Sequence, residues 1–136
     1  LGLELKLNEN KSSIAANKSK LELLKLKLQS EKEKFLTNLK QDYIDLKKKY
    51  ELNLNKKEKL ELRFNSYQKK AKLEEDSFNK GSSDLTFVVD DKLKLIELKM
   101  QLLNEMVSGM IIQTRLLELF DELFLKYKSF LVIPEN

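Results

Sequence analysis

The chain has no cysteine and no histidine among its 136 residues, and it has only three glycines and one proline. Without cysteine, neither a disulfide framework nor a thiolate metal site can form. Without histidine, the commonest general base and metal ligand is missing. The glycines do not cluster into a loop that could cradle a phosphate group. We therefore expect no catalytic residues, no metal site and no cofactor, and we do not expect an enzyme.

The scarcity of chain-breaking residues limits how often the backbone can turn. Apart from Gly2, the glycines are Gly81 and Gly109, and the only proline is Pro134. Charged residues make up 35% of the chain and hydrophobic residues 41%, a balance that is typical of long helices. A single turn near Gly81 predicts an all-α fold, namely a long antiparallel helical hairpin that resembles a coiled coil.

The first residues differ from the rest of the chain. From Leu1 to Asn8, leucine alternates with glycine or polar residues, which predicts a short β-strand with one apolar face. Such a strand could belong to a membrane barrel, to a soluble sheet edge or to a frayed end. The chain starts at Leu1 without a visible signal peptide, so we expect a fragment of a longer protein.

The remaining segments follow from caps and breakers. Ser12 or Ser13 can cap the first helix, and Ser82 or Ser83 can cap the second. The expected segments are a β-strand, a first helix, a hairpin tip, a second helix and a β-prone tail: 1–8, 11–79, 80–83, 84–130 and 131–136.

Apolar residues recur along the first helix at heptad spacing. The first stretch holds Ile14, Leu21, Leu24, Leu28 and Phe35. After a shift at Leu39, the second stretch holds Tyr43, Leu46, Tyr50, Leu60, Phe64, Tyr67, Ala71 and Phe78. Polar residues take apolar slots of the second stretch at Asn53, Lys57 and Glu74. The stripe is therefore interrupted, and we do not expect a tight two-stranded zipper.

The second helix carries two apolar rows. The first row holds Leu85, Val89, Ile96, Met100, Leu103, Val107, Met110 and Leu117. The second row holds Leu95, Leu98, Leu102, Met106, Ile112, Leu116, Phe120 and Leu123. Since a helix with one partner needs one stripe, two rows indicate neighbours on two sides, either in a small bundle or in a ring of helices. Gly109 lies within this helix, where we expect it to permit close packing.

The charge pattern argues against a nucleic-acid partner. The net charge is +4, from 26 basic and 22 acidic residues, and the two signs are interspersed along the chain. Only Arg63 and Arg115 are arginines, so the guanidinium fork that usually contacts phosphates and bases is nearly absent.

The segment around the predicted turn resembles the helical tip of the TolC family of outer-membrane efflux and secretion channels. The resemblance rests on an aromatic residue three positions before a glycine, a serine-rich turn and an aliphatic run that contains aspartate. These residues are Phe78, Gly81, Ser82, Ser83, Leu85, Val88, Val89 and Asp90. Upstream, the segment Gly2–Leu7 is similar to the last inward strand of the family. The resemblance covers nearly the whole chain, but only the C-terminal one of the family's two similar halves.

Two departures from the family pattern are visible. The proline–aromatic–glycine step that follows the strand is replaced by Asn8-Glu9-Asn10. The basic residue that some members carry just after the tip glycine is missing, and Ser82 and Ser83 stand there instead. A gate that depends on that basic residue is therefore not implied here.

The resemblance implies a passive exit duct of a tripartite efflux pump or a type I secretion system. In such a duct, a homotrimer forms a barrel in the bacterial outer membrane and a helical tunnel across the periplasm. The tip meets a periplasmic adaptor protein, which connects to an inner-membrane transporter. The implied tip residues are Phe78, Lys80, Gly81, Ser82, Ser83, Asp84 and Leu85. Asp90 is implied to face the pore, although it also fits a solvated carboxylate near a helix start.

A second hypothesis from another class is a soluble coiled-coil scaffold or tether without a pore. It predicts that Leu1–Leu7 is exposed or disordered and that the chain pairs through a single seam. The tip residues would then serve the turn alone, with Gly81 supplying the backbone angle.

Overall fold

The structure, a computed structural model, describes residues 2–131 and contains two α-helices there, α1 (Gly2–Asn79) and α2 (Leu85–Leu131). Side-chain exposure is described as far as residue 129. The chain divides into two units, Leu1–Asp42 and Tyr43–Asn136, and each is described by itself. Leu1 and all of the predicted tail except Leu131, which ends α2, lie outside the described residues.

The β-strand predicted over 1–8 is wrong, because α1 already begins at Gly2. Leucine, glutamate and lysine are among the best helix formers, and they make up the whole segment Leu3–Leu7. The segment also lacks the β-branched residues that favour strands. Ser12 and Ser13 therefore lie inside α1 and do not cap it.

In the first unit, the apolar side chains before residue 30 are exposed on the helix surface. Leu3 is 79% exposed and Ile14 is 66% exposed. The others on this stretch are also exposed: Leu5, Leu7, Leu21, Leu23, Leu24, Leu26 and Leu28. Helical stability in proteins comes mostly from tertiary packing of an apolar face, so this stretch presents a face that could gain from a partner.

In the second unit, residues 43–79 of α1 pack antiparallel against α2. The contacts pair late residues of α1 with early residues of α2: Glu75 with Lys92, Lys70 with Asp91, Asn53 with Glu105 and Tyr50 with Gln113. The predicted helical hairpin is confirmed.

Both helices bury a heptad-spaced row in the seam of this hairpin. On α1 the members of this row, all buried or half-buried, are Leu46, Tyr50, Asn53, Lys57, Leu60, Phe64, Tyr67, Ala71 and Glu74. On α2 the members of the row are Val88, Asp91, Leu95, Leu98, Leu102, Glu105, Gly109, Ile112 and Leu116. The polar interruptions that the sequence shows thus lie inside the seam. They do not end it.

The turn ends α1 with a left-handed residue and two reversed hydrogen bonds. Gly81 has φ 74°, the Gly81 N–H donates to the carbonyl of Phe78, and the Ser82 N–H donates to the carbonyl of Ser77, both at 2.9 Å. This is the Schellman arrangement, which satisfies carbonyls at a helix end. A side chain at position 81 would meet no neighbour, so the backbone angle alone requires glycine.

The first turn of α2 is capped by Asp84. Its carboxylate accepts a hydrogen bond from the Thr86 N–H at 3.1 Å and one from the Thr86 hydroxyl at 3.2 Å, as an N-cap residue does. The expected caps Ser82 and Ser83 act differently. The Ser82 hydroxyl donates to the Ser77 carbonyl, and the Ser83 hydroxyl donates to the Glu74 carboxylate.

A polar layer crosses the seam at Asn53, which is only 6% exposed. Its amide nitrogen donates to both the backbone carbonyl and the carboxylate of Glu105, each at 2.8 Å. A Cβ at position 109 would lie 2.6 Å from Asn53 Oδ1. Gly109 therefore makes room for the Asn53 amide, which confirms its expected role in close packing.

We expect Gly81→Ala to lower the free energy of unfolding by about 1–2 kcal/mol, the cost of a left-handed conformation for an L-residue. Urea denaturation followed by circular dichroism measures the change. Gly2→Ala is the matched control, because Gly2 has helical geometry and open space around it. Unchanged stability of Gly81→Ala would show that the turn does not depend on the left-handed angle.

We expect the effect of Gly109→Ala to change sign with the residue at position 53. With Asn53 present, the added methyl displaces its bonded amide and destabilises the hairpin by about 1–3 kcal/mol. With Asn53→Ala, the same change gains up to about 1 kcal/mol of helix propensity. A double-mutant cycle measured by denaturation gives the coupling. Additive effects would contradict the close approach.

Candidate functional site

The hairpin turn carries an open depression lined by residues of both helix ends. Its lining consists of Glu74, Gly81, Ser82, Ser83, Asp84 and Phe87. Of the residues predicted at the tip, Gly81, Ser82, Ser83 and Asp84 hold the turn through the bonds described above. Each of them therefore has a structural task, and their presence does not require a ligand.

The remaining tip residues are available for contact. Phe78 is 37% exposed, Leu85 is 54% exposed, and Lys80 is also exposed. Phe87, which the sequence analysis did not select, is 60% exposed. Its position one turn after the Asp84 cap is the signal that could have identified it. The turn therefore presents three apolar side chains on a hydrogen-bonded support.

The two adjacent aspartates after the turn have opposite environments. Asp90, the predicted pore-facing residue, is exposed, and the described residues do not include a channel. Asp91 lies in the seam and is 6% exposed. Its Oδ1 accepts a hydrogen bond from Lys70 Nζ at 2.8 Å, whereas its Oδ2 is buried without a hydrogen-bond partner among the described residues.

The pair between Lys70 and Asp91 brings a charge into the seam. The hydrogen bond to Asp91 raises the pKa of Lys70 above its ordinary value, helped by the charge of the same carboxylate and opposed by partial desolvation. Lys70 Nζ also lies 5.5 Å from the ring centre of Tyr67. This pair was not predicted from the sequence, although position 91 shares the heptad row of Leu95 and Leu98.

We expect Lys70→Met to destabilise the hairpin because it leaves the Asp91 carboxylate buried and unpaired. The further change Asp91→Leu should restore stability, since it removes the buried carboxylate and places an apolar side chain in the seam. Thermal denaturation of both variants at neutral pH measures this. Equal stability of Lys70→Met and the parent chain would contradict the pairing.

The same pair predicts a pH dependence. The pKa of Lys70 is raised in the folded state, so its contribution is fully present below the unfolded pKa of about 10.4. That contribution disappears as the pH rises through the folded pKa. In Lys70→Met, this part of the loss of stability at alkaline pH should be absent. Denaturation curves of the parent chain and the variant between neutral and strongly alkaline pH measure the difference in free energy of unfolding.

A further candidate surface is the row of α2 that does not enter the seam. Its members are between 46% and 66% exposed: Leu85, Val89, Leu93, Ile96, Met100, Leu103, Val107, Met110 and Leu117. We call this row the outer face of α2. It is offset by two residues from the seam row, which places it about 160° away around the helix. A contiguous apolar surface of this kind usually marks an interaction site.

Other kinds of site find no support in the part of the chain that the structure describes. Within residues 2–131, no cluster of three or more acidic side chains is arranged to hold a metal ion. Over the same residues, neither helix has a stretch that is apolar enough to cross a membrane.

Comparison with family models, with curated proteins and with solved structures finds no match for this chain.

Proposed function

We propose that the chain is a wall element of a TolC-like exit duct, a passive conduit of an efflux pump or secretion system. The observation that carries the proposal is the outer face of α2. That face is apolar from Val89 to Met110, with Thr114 as a polar interruption before Leu117, and it lies opposite the seam with α1. The second helix α2 therefore has a second side on which a neighbouring helix can pack. A helix in the wall of a tunnel needs such contacts on two sides.

The interior of the hairpin supports the same proposal. Among the described residues, the buried apolar side chains are Ala71, Val88 and Leu98. Full burial of a valine or leucine side chain is worth about 1.5–3 kcal/mol, and the other large apolar side chains of the seam are only half-buried, so the seam provides little stability for helices of this length. Packing the outer face of α2 against neighbours, as in a homotrimer, would add the missing burial.

The turn supports a docking role at one end of the hairpin. Phe78, Leu85 and Phe87 stand out from a turn that is held by its own hydrogen bonds. Residues on a rigid support commonly carry binding contacts. In the proposed duct, these side chains contact a periplasmic adaptor protein, which connects to an inner-membrane transporter, and the duct lies in the bacterial outer membrane and periplasm.

A second candidate function is a coiled-coil scaffold or tether without a pore. The observation that favours it is the helical conformation of Gly2–Asn8, because the duct resemblance assigns a strand to these residues. The exposed leucines at positions 3, 5 and 7 also match what a scaffold predicts for this segment.

We expect the double change Ile96→Ser and Leu103→Ser, made in the protein that carries this chain, to abolish both trimer assembly and export. The reason is that the outer face of α2 would lose two large apolar side chains, each worth about 1.5–3 kcal/mol when fully buried. The measurement is drug susceptibility of a Gram-negative strain that lacks its own duct, together with the oligomeric state of detergent-extracted protein. Lys99→Ser with Asn104→Ser, two exposed polar positions on α2, is the control.

Substitutions at the turn separate docking from assembly. Phe78→Ser with Leu85→Ser should abolish export and leave the trimer intact. If the parent protein does not fractionate with the outer membrane, or does not restore export, the duct proposal fails and the scaffold is favoured.

A further inference from the structure

The first unit carries an apolar stripe that no part of the proposed function explains. Because Gly2–Asn8 is helical, a heptad row runs from the start of α1 and alternates steps of four and three residues. Its apolar members are between 54% and 79% exposed: Leu3, Leu7, Ile14, Leu21, Leu24 and Leu28. Asn10 and Asn17 take the remaining slots. We call this row the basic-flanked stripe.

Lysines line the stripe on both sides. The residues that directly follow stripe positions 3, 10, 17 and 24 form one flank of the apolar row on the helix surface. The residues that directly precede stripe positions 7, 14, 21 and 28 form the opposite flank. One flank holds Lys11, Lys18 and Lys25, and the opposite flank holds Lys6, Lys20 and Lys27, all exposed. Of the acidic residues in this segment, Glu9 and Glu22 lie outside these flanks, whereas Glu4 follows Leu3 on the same flank as Lys11. The positive charge of this segment is therefore concentrated next to its apolar stripe.

We propose that the basic-flanked stripe binds an amphipathic helix whose own apolar stripe is flanked by aspartate and glutamate. In paired helices, the flanking residues of one helix meet those of the other, and opposite charges select the partner. Two copies of this stripe would place lysine against lysine in a parallel pair, for example Lys20 against Lys25. An antiparallel pair would also bring equal flanks together. Charge complementarity therefore excludes a second copy and requires an acidic partner.

A helical partner fits the stripe better than an anionic lipid surface does. A helix that lies on a membrane needs a broad apolar face, commonly with aromatic residues. The basic-flanked stripe is instead a narrow row with one residue at each heptad core position, and two of those positions are occupied by Asn10 and Asn17. The chain has no tryptophan. A polar residue at a heptad core position is tolerated in paired helices, where it specifies the register.

The test uses the whole chain and two synthetic helical peptides about four heptads long. Both peptides have leucine at the core positions, and they differ only in carrying glutamate or lysine on the flanks. Fluorescence anisotropy measures both dissociation constants at low salt. We expect the glutamate peptide to bind about tenfold more tightly or better, with a difference that shrinks as salt is added.

Charge reversal provides the sharper comparison. Replacing Lys18, Lys20, Lys25 and Lys27 by glutamate should reverse the preference between the two peptides. Replacing Lys47, Lys48, Lys56 and Lys59, which are exposed in the second unit, by glutamate changes the net charge equally and should leave the preference unchanged. Ile14→Ser with Leu21→Ser should abolish binding of the glutamate peptide.

Several results would overturn the proposal. These are equal binding of the two peptides, binding of neither, or self-association of the chain that Leu21→Ser removes. Preferential binding to vesicles that contain phosphatidylserine would assign the stripe to a membrane surface. The inference concerns the first unit alone, so it can fail while the duct proposal holds, and the reverse is also possible.

Discussion

The second unit depends on the close approach of two helix backbones at one layer of their seam. At this layer Gly109 leaves space for the side-chain amide of Asn53. The nitrogen of that amide donates hydrogen bonds to the backbone carbonyl and to the carboxylate of Glu105. A slip of either helix would bury these polar groups without partners, which costs more than a neutral hydrogen bond contributes. Polar residues at core positions commonly set the register of paired helices in this way. The turn bonds and the pair of Lys70 with Asp91 are consistent with the same register.

The hairpin satisfies its polar groups but buries few apolar ones. Leu98 is fully buried, whereas most large apolar residues of α2 are exposed. Soluble chains rarely expose a long apolar row unless it contacts something. The basic-flanked stripe and the outer face of α2 differ in the charges beside them. Lysines flank the stripe on both sides, whereas both acidic and basic residues, such as Asp90 and Lys92, border the outer face of α2. The two rows therefore call for partners of different chemistry.

The sequence predicted the structure correctly where the helical period of the apolar residues and the turn-forming residues indicated the same fold. The glycine at position 81 was sufficient to predict a hairpin, because turn chemistry is local. The two rows of the second helix predicted neighbours on two sides, whereas among the described residues only the row of Leu95, Leu98 and Leu102 is packed. The alternation of leucine in Leu3–Leu7 led to a wrong strand prediction, because an alternating segment forms a strand only when a neighbouring strand can pair with it. The propensities of leucine, glutamate and lysine decided the outcome instead.

The candidate sites divide in the same way. A second apolar side of α2 could be anticipated from its two rows, but the sequence pattern does not tell which row enters the seam. Asp90 was predicted as a site residue and Asp91 was not, since two neighbouring aspartates look equivalent until it is known which side of the helix faces the seam. Phe87 was missed for a similar reason, because its exposure depends on where Asp84 caps α2.

The amino-acid sequence by itself determined two helices and one turn, because breakers are scarce and helix-forming residues fill the rest. Only the tertiary structure decided which faces meet. That choice depends on the register, and the register is set by contacts between residues far apart in the chain, such as Asn53 with Glu105 and Lys70 with Asp91. No local preference contains that information.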